Sequence, residues 1–329
     1  MHLSLLEAET LVVEALRRNR VSAQNARSVA VALVAAEAAG QEGHGLRRVL
    51  AYAGQAKAGK ADGFAVPGRS RPFPAVLRID AGNGYAYPAL DLAVAELPDI
   101  AREQGIALAA INRSHHAGVM GLTVERFADL GLVALMVANA PAAMAPWGGR
   151  RPVFGTNPIA FAAPLPGEDP IVIDLALSKV ARGKVMAARQ QGAPIPADWA
   201  FDREGRPTTS AEEALEGTMA PSGDAKGAAL ALMVEILAAG LTGANYAFEA
   251  SSLFDDKGAP PALGHTIIAI NPAATSTADT AHRLARLADE ITRDPDVRLP
   301  GRRGQTLRRL ALAEGITVED EVIEAIRQL

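Results

Sequence analysis

Between Ile106 and Pro164 the chain alternates short apolar runs with rare polar residues placed at their ends. Ile106 to Ile111 is a β-like run that stops at Asn112, Arg113, Ser114, His115 and His116. A helical pattern follows from Gly118 to Leu130, with Leu122, Phe127 and Leu130 apolar and Glu125, Arg126 and Asp129 free for solvent. The next apolar run, Leu132 to Ala138, ends on Asn139. Strand, helix and strand in that order predict an α/β sheet, and ligands of open α/β sheets collect beyond the carboxyl ends of the strands. His116 and Asn139 therefore fall where small-molecule chemistry is usually done.

The 329 residues suffice for a large core, and at this length a chain is expected to form two lobes with a cleft between them. No segment supplies the roughly 18 uncharged apolar residues of a membrane span. The longest alanine-rich tract, Val29 to Gly40, carries Glu37 and reads as a buried helix. The first residues carry acids early and lack the basic region of a secretory signal, which predicts a soluble, cytoplasmic protein with no membrane partner. Thirty-three basic against 37 acidic residues, dispersed except near Arg298 to Arg309, argue against a nucleic-acid partner. That basic run, LPGRRGQTLRRL, fits either a small phosphate or carboxylate site or a solvated loop and helix start. With no cysteine there is no disulfide framework, thiolate metal site or thiol nucleophile.

Helices are predicted over Leu5 to Arg18, over Ser22 to Gly40 with Ser22 as N-cap and Gly40 as stop, and around Leu46 to Lys57. Gly63 to Pro74 reads as a connector, Ala75 to Asp80 as a strand, and Leu90 to Gln104 as a helix that Pro98 should interrupt or bend. Ile159 to Ala163, Ile171 to Leu175 and Thr266 to Ile270 are further strands. Lys179 to Gln190 and Gly227 to Ala239 are further helices, the second alanine-rich and packed on several sides, and Gly192 to Pro221 reads as a long covering loop. The order predicts three segments: residues 1–72 helical, 73–274 an α/β core, and 275–329 helical and packed with the first.

The motifs that define a Rossmann site, a P-loop, a zincin and an α/β-hydrolase are all missing, and no histidine pair has zinc-helix spacing. In EGHGLRR, His44 and Arg48 stand four residues apart, on one face if the segment is helical. A guanidinium binds a carboxylate bidentately, and a neighbouring imidazole exchanges protons near neutral pH, so the pair suits a small carboxylate that bears a reacting oxygen or nitrogen. An exposed arginine beside a capping histidine fits the same spacing. His116 is either a satisfied structural group or a ligand contact beside the helix start Ala117 to Met120, whose N–H groups favour phosphate. The PWGG and FGTNP blocks, with Thr156 and Asn157, read as tight turns. Asp174 could orient a histidine, bind a cofactor ribose or cap a helix, as could Ser178 in the last role. Asp224 and Lys226 of PSGDAKG fit either a phosphate contact or a plain helix start.

GHGLRR (43–48), SHHAGVMG (114–121), NAPAAMAPWGG (139–149), FGTNPIAFAAP (154–164), DLALSKVARGK (174–184), PSGDAKG (221–227), LTG (241–243) and LPGRR (299–303) together resemble the type-2 malate/L-lactate dehydrogenase-like oxidoreductases. That family includes ureidoglycolate, sulfolactate and diketogulonate dehydrogenases and Δ1-pyrroline- or piperideine-2-carboxylate reductases. The resemblance implies a homodimer with a mixed-sheet, non-Rossmann nicotinamide-binding domain and a helical domain made from the two termini. It implies NAD or NADP as cofactor, and hydride transfer at C2 of a small 2-hydroxy or 2-oxo carboxylate or, alternatively, of a cyclic imino acid. By position, His116 would exchange the proton, His44 would be a second proton-handling group, Arg48 the carboxylate anchor and Asp174 a further catalytic group. Cofactor contacts would fall at Ala117, Gly118, Val119, Met120, Asn139, Ala140, Thr156, Asp174, Leu175, Ala176, Ser178, Asp224, Lys226, Gly301, Arg302, Arg303 and Gly304. Gly43 stands where many members carry serine, and Leu177 where threonine is common. A non-catalytic carboxylate-binding protein on the same fold is the reading from another class.

Overall fold

The computed structural model describes residues 1–276 and 279–329; Thr277 and Ala278, within the predicted C-terminal segment, lie outside the described residues. A short strand β1 (His2–Leu3) leads into α1 (Leu5–Arg18), where Ser4 and Glu7 close a reciprocal capping box. Ser22 caps α2 (Ala23–Ala38) by accepting from the Asn25 N–H. The chain then kinks through two single 3-10 turns, Glu42–His44 and Leu46–Arg48, before α3 (Val49–Ala58). His44 and Arg48 are thus not on one helix as their spacing suggested. The break sits at Gly45, where a Cβ would lie 2.0 Å from Glu37 Oε2, and Glu37 accepts the Leu46 N–H at 2.8 Å to start the second turn.

The predicted connector contains a strand. β2 (Gly68–Phe73) is exposed along its whole length and forms a hairpin with β3 (Val76–Asp80). Pro72 is tolerated there because β2 is the outer strand of the sheet and needs donors on one side only. Then come α4 (Ala86–Gln104), β4 (Ile106–Ser114), α5 (Met120–Asp129), β5 (Val133–Ala138), β6 (Ile159–Leu165) and β7 (Glu168–Leu175). Pro98 does not interrupt α4. It forfeits one ladder bond, while Leu97, Ile100 and Ala101 around it are buried in the core and hold the helix in place.

The predicted covering loop also has structure of its own. After α6 (Arg182–Gln190) it forms β8 (Ala200–Phe201), α7 (Ala211–Glu216) and β9 (Thr218–Met219) around a second apolar cluster that includes Met144, Phe154, Leu177 and Ile195. α8 (Ala225–Glu235) runs on into a π-helical turn, Ile236–Gly240. It is covered on one side only, since Leu230, Leu232, Met233 and Ile236 are exposed, which corrects the expectation of packing on several sides. β10 (Leu263–Ile270), α9 (Pro272–Thr275), α10 (Thr280–Ile291), α11 (Arg302–Glu314), β11 (Ile316–Thr317) and α12 (Asp320–Arg327) complete the chain.

Seven strands form one mixed sheet in the order β2-β3-β4-β10-β5-β6-β7. β3 and β4 are parallel, and β10 lies antiparallel between β4 and β5. β6 opposes both β5 and β7, so β3, β4, β5 and β7 all end at one edge of the sheet. α4 and α5 cover one face, while α8 and its π-turn cover the other, where Thr266 Oγ1 donates to the Leu237 carbonyl. β1 pairs with β11, and Ile316, Val322 and Ile323 join the same core as α1 to α3 and the central strands. No described helix is long and apolar enough to cross a membrane.

Candidate active site

At that shared edge β4 delivers Ser114, His115 and His116, and α3 with the turns before it delivers His44, Arg48 and Tyr52. The His44 and His116 rings stack with centroids 5.4 Å apart and planes 23° from parallel. His116 Nδ1 is hydrogen-bonded to Tyr52 Oη at 2.8 Å, and that oxygen lies 3.3 Å from Tyr87 Oη. Tyr85 Oη donates to the Tyr52 carbonyl at 2.8 Å. Three of the chain's four tyrosines and four of its six histidines gather here, a concentration of polar aromatics that an apolar core does not require.

Burial, reinforced by the Arg48 charge, holds the His44 imidazole at about 4 and His116 well below its ordinary range. Both rings are thus neutral at physiological pH, and both respond to the same guanidinium. Arg48 is half-buried, its Nε donates to the Gly43 carbonyl at 2.7 Å, and its guanidinium carbon lies 4.9 Å from the centre of the Phe254 ring. Behind the pair, His115 is buried edge-on to Tyr52 and Tyr85, and burial pushes it down to about 3. His265 bonds Ser114 Oγ at 2.9 Å and is pushed down to about 4. Arg113, the last exposed residue of the polar block, is committed to Asp80.

Five of the expected cofactor segments adjoin one another along the edge. Asp174 accepts the Gly121 N–H at 2.7 Å, which ties the end of β7 to the Ala117–Met120 stretch. The Asp174 carboxylate thus caps the start of α5. Leu177 N–H donates to the Thr156 carbonyl at 2.8 Å, Ser222 N–H donates to the Leu177 carbonyl at 2.7 Å, and Ser178 bridges Pro221. Ser178 Oγ donates to the Val180 carbonyl, and a Cβ at Gly155 would strike the Ala140 carbonyl, so Thr156 adjoins Ala140.

Asn139 and Arg302 have side-chain partners within the protein. Asn139 is buried, with Nδ2 on Glu235 Oε1 and the Asn245 carbonyl and Oδ1 on the Gly264 N–H. Gly301 packs on Val172 of β7, yet Arg302 turns back to Glu168 and the Asp169 carbonyl. Arg303, next to it, is exposed and makes no ion pair among the described residues. Gly304 packs near Ala39.

The edge fits an anionic dinucleotide at α8. The first N–H groups of α8 have no side-chain cap, Gly223 at φ +72° stands in open space, and Lys226 is exposed without an ion pair among the described residues. An uncapped helix start beside an unpaired ammonium suits phosphate.

Residues 3–327 match the malate/L-lactate dehydrogenase family. The chain belongs to that family. A (2R)-3-sulfolactate dehydrogenase (NADP(+)) of Chromohalobacter salexigens is 49% identical, covering 99% of this chain and 97% of that protein. A Δ1-pyrroline-2-carboxylate/Δ1-piperideine-2-carboxylate reductase of Pseudomonas putida is 38% identical, covering 98% of this chain and 95% of that one. The crystal structure of Δ1-piperideine-2-carboxylate reductase from Pseudomonas syringae superposes with a TM-score of 0.94 at 37% identity, covering 100% of this chain and 99% of that one. This chain carries no Rossmann fingerprint, and its sheet holds β10 antiparallel between β4 and β5, which are parallel to each other.

Three site residues escaped the sequence reading. Tyr52 sits on the apolar side of α3 and looks like core, and Phe254 belongs to an irregular turn 206 residues from Arg48. Glu235 hides in an alanine-rich helix. The GYAYP motif, with Tyr85 and Tyr87 two apart at the start of a helix, was the available signal.

Proposed function

We propose that this enzyme is an NADP(H)-linked oxidoreductase that transfers a hydride to or from C2 of a small 2-oxo or 2-hydroxy carboxylate, sulfopyruvate and 3-sulfolactate being the first pair to test. The arrangement that carries the reading is the stacked His44–His116 pair with His116 bonded to Tyr52, all beside Arg48. A bound nicotinamide supplies the hydride. Arg48 holds the substrate carboxylate through charge-assisted hydrogen bonds of about 1.5 to 3 kcal/mol each. With an anionic substrate bound against Arg48, whose charge otherwise disfavours the imidazolium, protonated His116 gives its Nε2 proton to the carbonyl oxygen as the C2–H bond forms, and neutral His116 takes it back in the oxidative direction. Tyr52 fixes the ring in both states, because its hydroxyl oxygen accepts from Nδ1–H of the neutral ring, which leaves Nε2 free as the base, and from Nδ1–H of the protonated one. The 49% identity to an NADP(+)-dependent sulfolactate dehydrogenase supports the choice of substrate and cofactor.

A second reading, reduction of a cyclic C=N bond in Δ1-pyrroline-2-carboxylate, is favoured by the near-complete superposition on a piperideine-2-carboxylate reductase. His116 would then protonate nitrogen. Sulfopyruvate, pyruvate, oxaloacetate and Δ1-pyrroline-2-carboxylate, each offered with NADPH and NADH, separate the two. The larger kcat/KM for sulfopyruvate supports the first reading, and a larger value for the imine replaces it with the second. The uncovered Leu230, Met233, Ile236 and Leu241 support a homodimer, which light scattering on the purified protein checks.

A further inference from the structure

Lys60 follows α3 and is buried, its side chain 1% exposed. Its Nζ donates to the carbonyls of Ser252 at 2.6 Å, Asp255 at 3.1 Å and Lys257 at 2.6 Å, with Asp255 Oδ1 at 3.4 Å. The turn 252–257 thus closes around an ammonium much as a loop closes around a metal ion. Gln55, also buried, adds Nε2 to the Asp255 carbonyl at 2.9 Å. Gly54 faces Asp256, so the turn lies along α3. Arg48, just before α3, and Gln55, on it, both meet this turn, Arg48 at the Phe254 ring and Gln55 at the Asp255 carbonyl.

Phe254 rides on that turn, and the Arg48 guanidinium carbon lies over its ring. Since Nε of Arg48 is held by Gly43, its terminal nitrogens form the edge left to meet a carboxylate. We propose that Lys60 is a positioning residue for substrate binding: by clamping the 252–257 turn to α3 it keeps Phe254 against Arg48 and fixes the edge on which the carboxylate docks. Phe254 is the side wall of that subsite. The inference rests on Arg48 being the carboxylate anchor.

The test compares Lys60→Met, Phe254→Ala, the double variant, Phe254→Tyr and Arg48→Ala. KM is measured for sulfopyruvate or Δ1-pyrroline-2-carboxylate, whichever is reduced, and the dissociation constant of oxamate is measured by calorimetry on NADPH-loaded protein, independent of turnover. Lys60→Met and Phe254→Ala should each raise both constants roughly 3- to 10-fold, the scale of one cation–π contact. The double variant should be no worse than the worse single, because Lys60 acts through Phe254. Phe254→Tyr, which keeps the ring, should restore both constants to within about twofold. Multiplying effects in the double variant, or unchanged constants in Phe254→Ala while Arg48→Ala raises them, overturn the clamp alone. Unchanged constants in Arg48→Ala remove the anchor and the clamp together. Phe254 is partly exposed, so its variants decide the matter even if Lys60→Met fails to fold.

Discussion

In the proposed reaction His116 carries two tasks, reaching the substrate with one nitrogen and holding Tyr52 with the other. Replacing it by alanine should lower turnover roughly 10²- to 10⁴-fold while the NADPH dissociation constant stays put, as stopped-flow and fluorescence titration would show. Tyr52→Phe should cost about tenfold in kcat, the kinetic equivalent of one hydrogen bond, with no loss of NADPH affinity. Oxidation requires the neutral imidazole, and burial with Arg48 lowers the His116 pKa from its ordinary 6.5. The oxidative kcat/KM should therefore be flat from about pH 8 down through 6.5 and fall only below it. An acidic limb centred above 6.5 contradicts that environment. His116 was legible as a rare polar group at the end of an apolar run, and His44 and Arg48 by their four-residue spacing. Tyr52, Lys60 and Phe254 were not, because their roles come from contacts that only the folded chain makes.

Among the elements, α8 does more than its composition suggests. Its buried Glu235 receives Asn139, Asn157 and the Ala247 N–H, and so ties the end of β5, the start of β6 and the turn at 245–247 to one carboxylate. Burial raises its pKa, against the pull of those donors. Glu235→Ala leaves three buried donors unsatisfied and should destabilise the protein by about 3 kcal/mol, read from denaturant unfolding. Helices with caps were legible almost to the residue, α1 and α2 above all, since Ser4 and Ser22 mark their starts. β2 was hidden by glycine and proline, which an edge strand accommodates and a central one does not. The bend at Gly45 was hidden because only the closeness of Glu37, a helix away, demands it.

At the scale of the whole molecule, one edge of a mixed sheet gathers the termini of four strands, and three neutral histidines with resolved values lie there. His44, His115 and His265 titrate at about 4, 3 and 4 in the folded chain against about 6.5 unfolded. Between those limits the unfolded chain binds more protons, so stability is fullest above about pH 6.5 and is lost as pH falls toward 4 and 3. The melting temperature should accordingly drop steeply below pH 6, and a flat profile from pH 7 to 4 would contradict the buried, neutral state of these rings. The sheet's strand order could not be read from the sequence, because inserting β10 between β4 and β5 is a pairing between residues more than 120 apart.

The convergence of Arg48 and His116 beside a nicotinamide is tested most directly by mixing stoichiometric NADPH with sulfopyruvate, or with Δ1-pyrroline-2-carboxylate, and following the loss of nicotinamide absorbance in a single turnover. Rapid oxidation in the wild type, slowed at least about 100-fold in His116→Ala at unchanged NADPH affinity, is the predicted result. Equal rates in the two proteins, or no oxidation with either substrate, would contradict it.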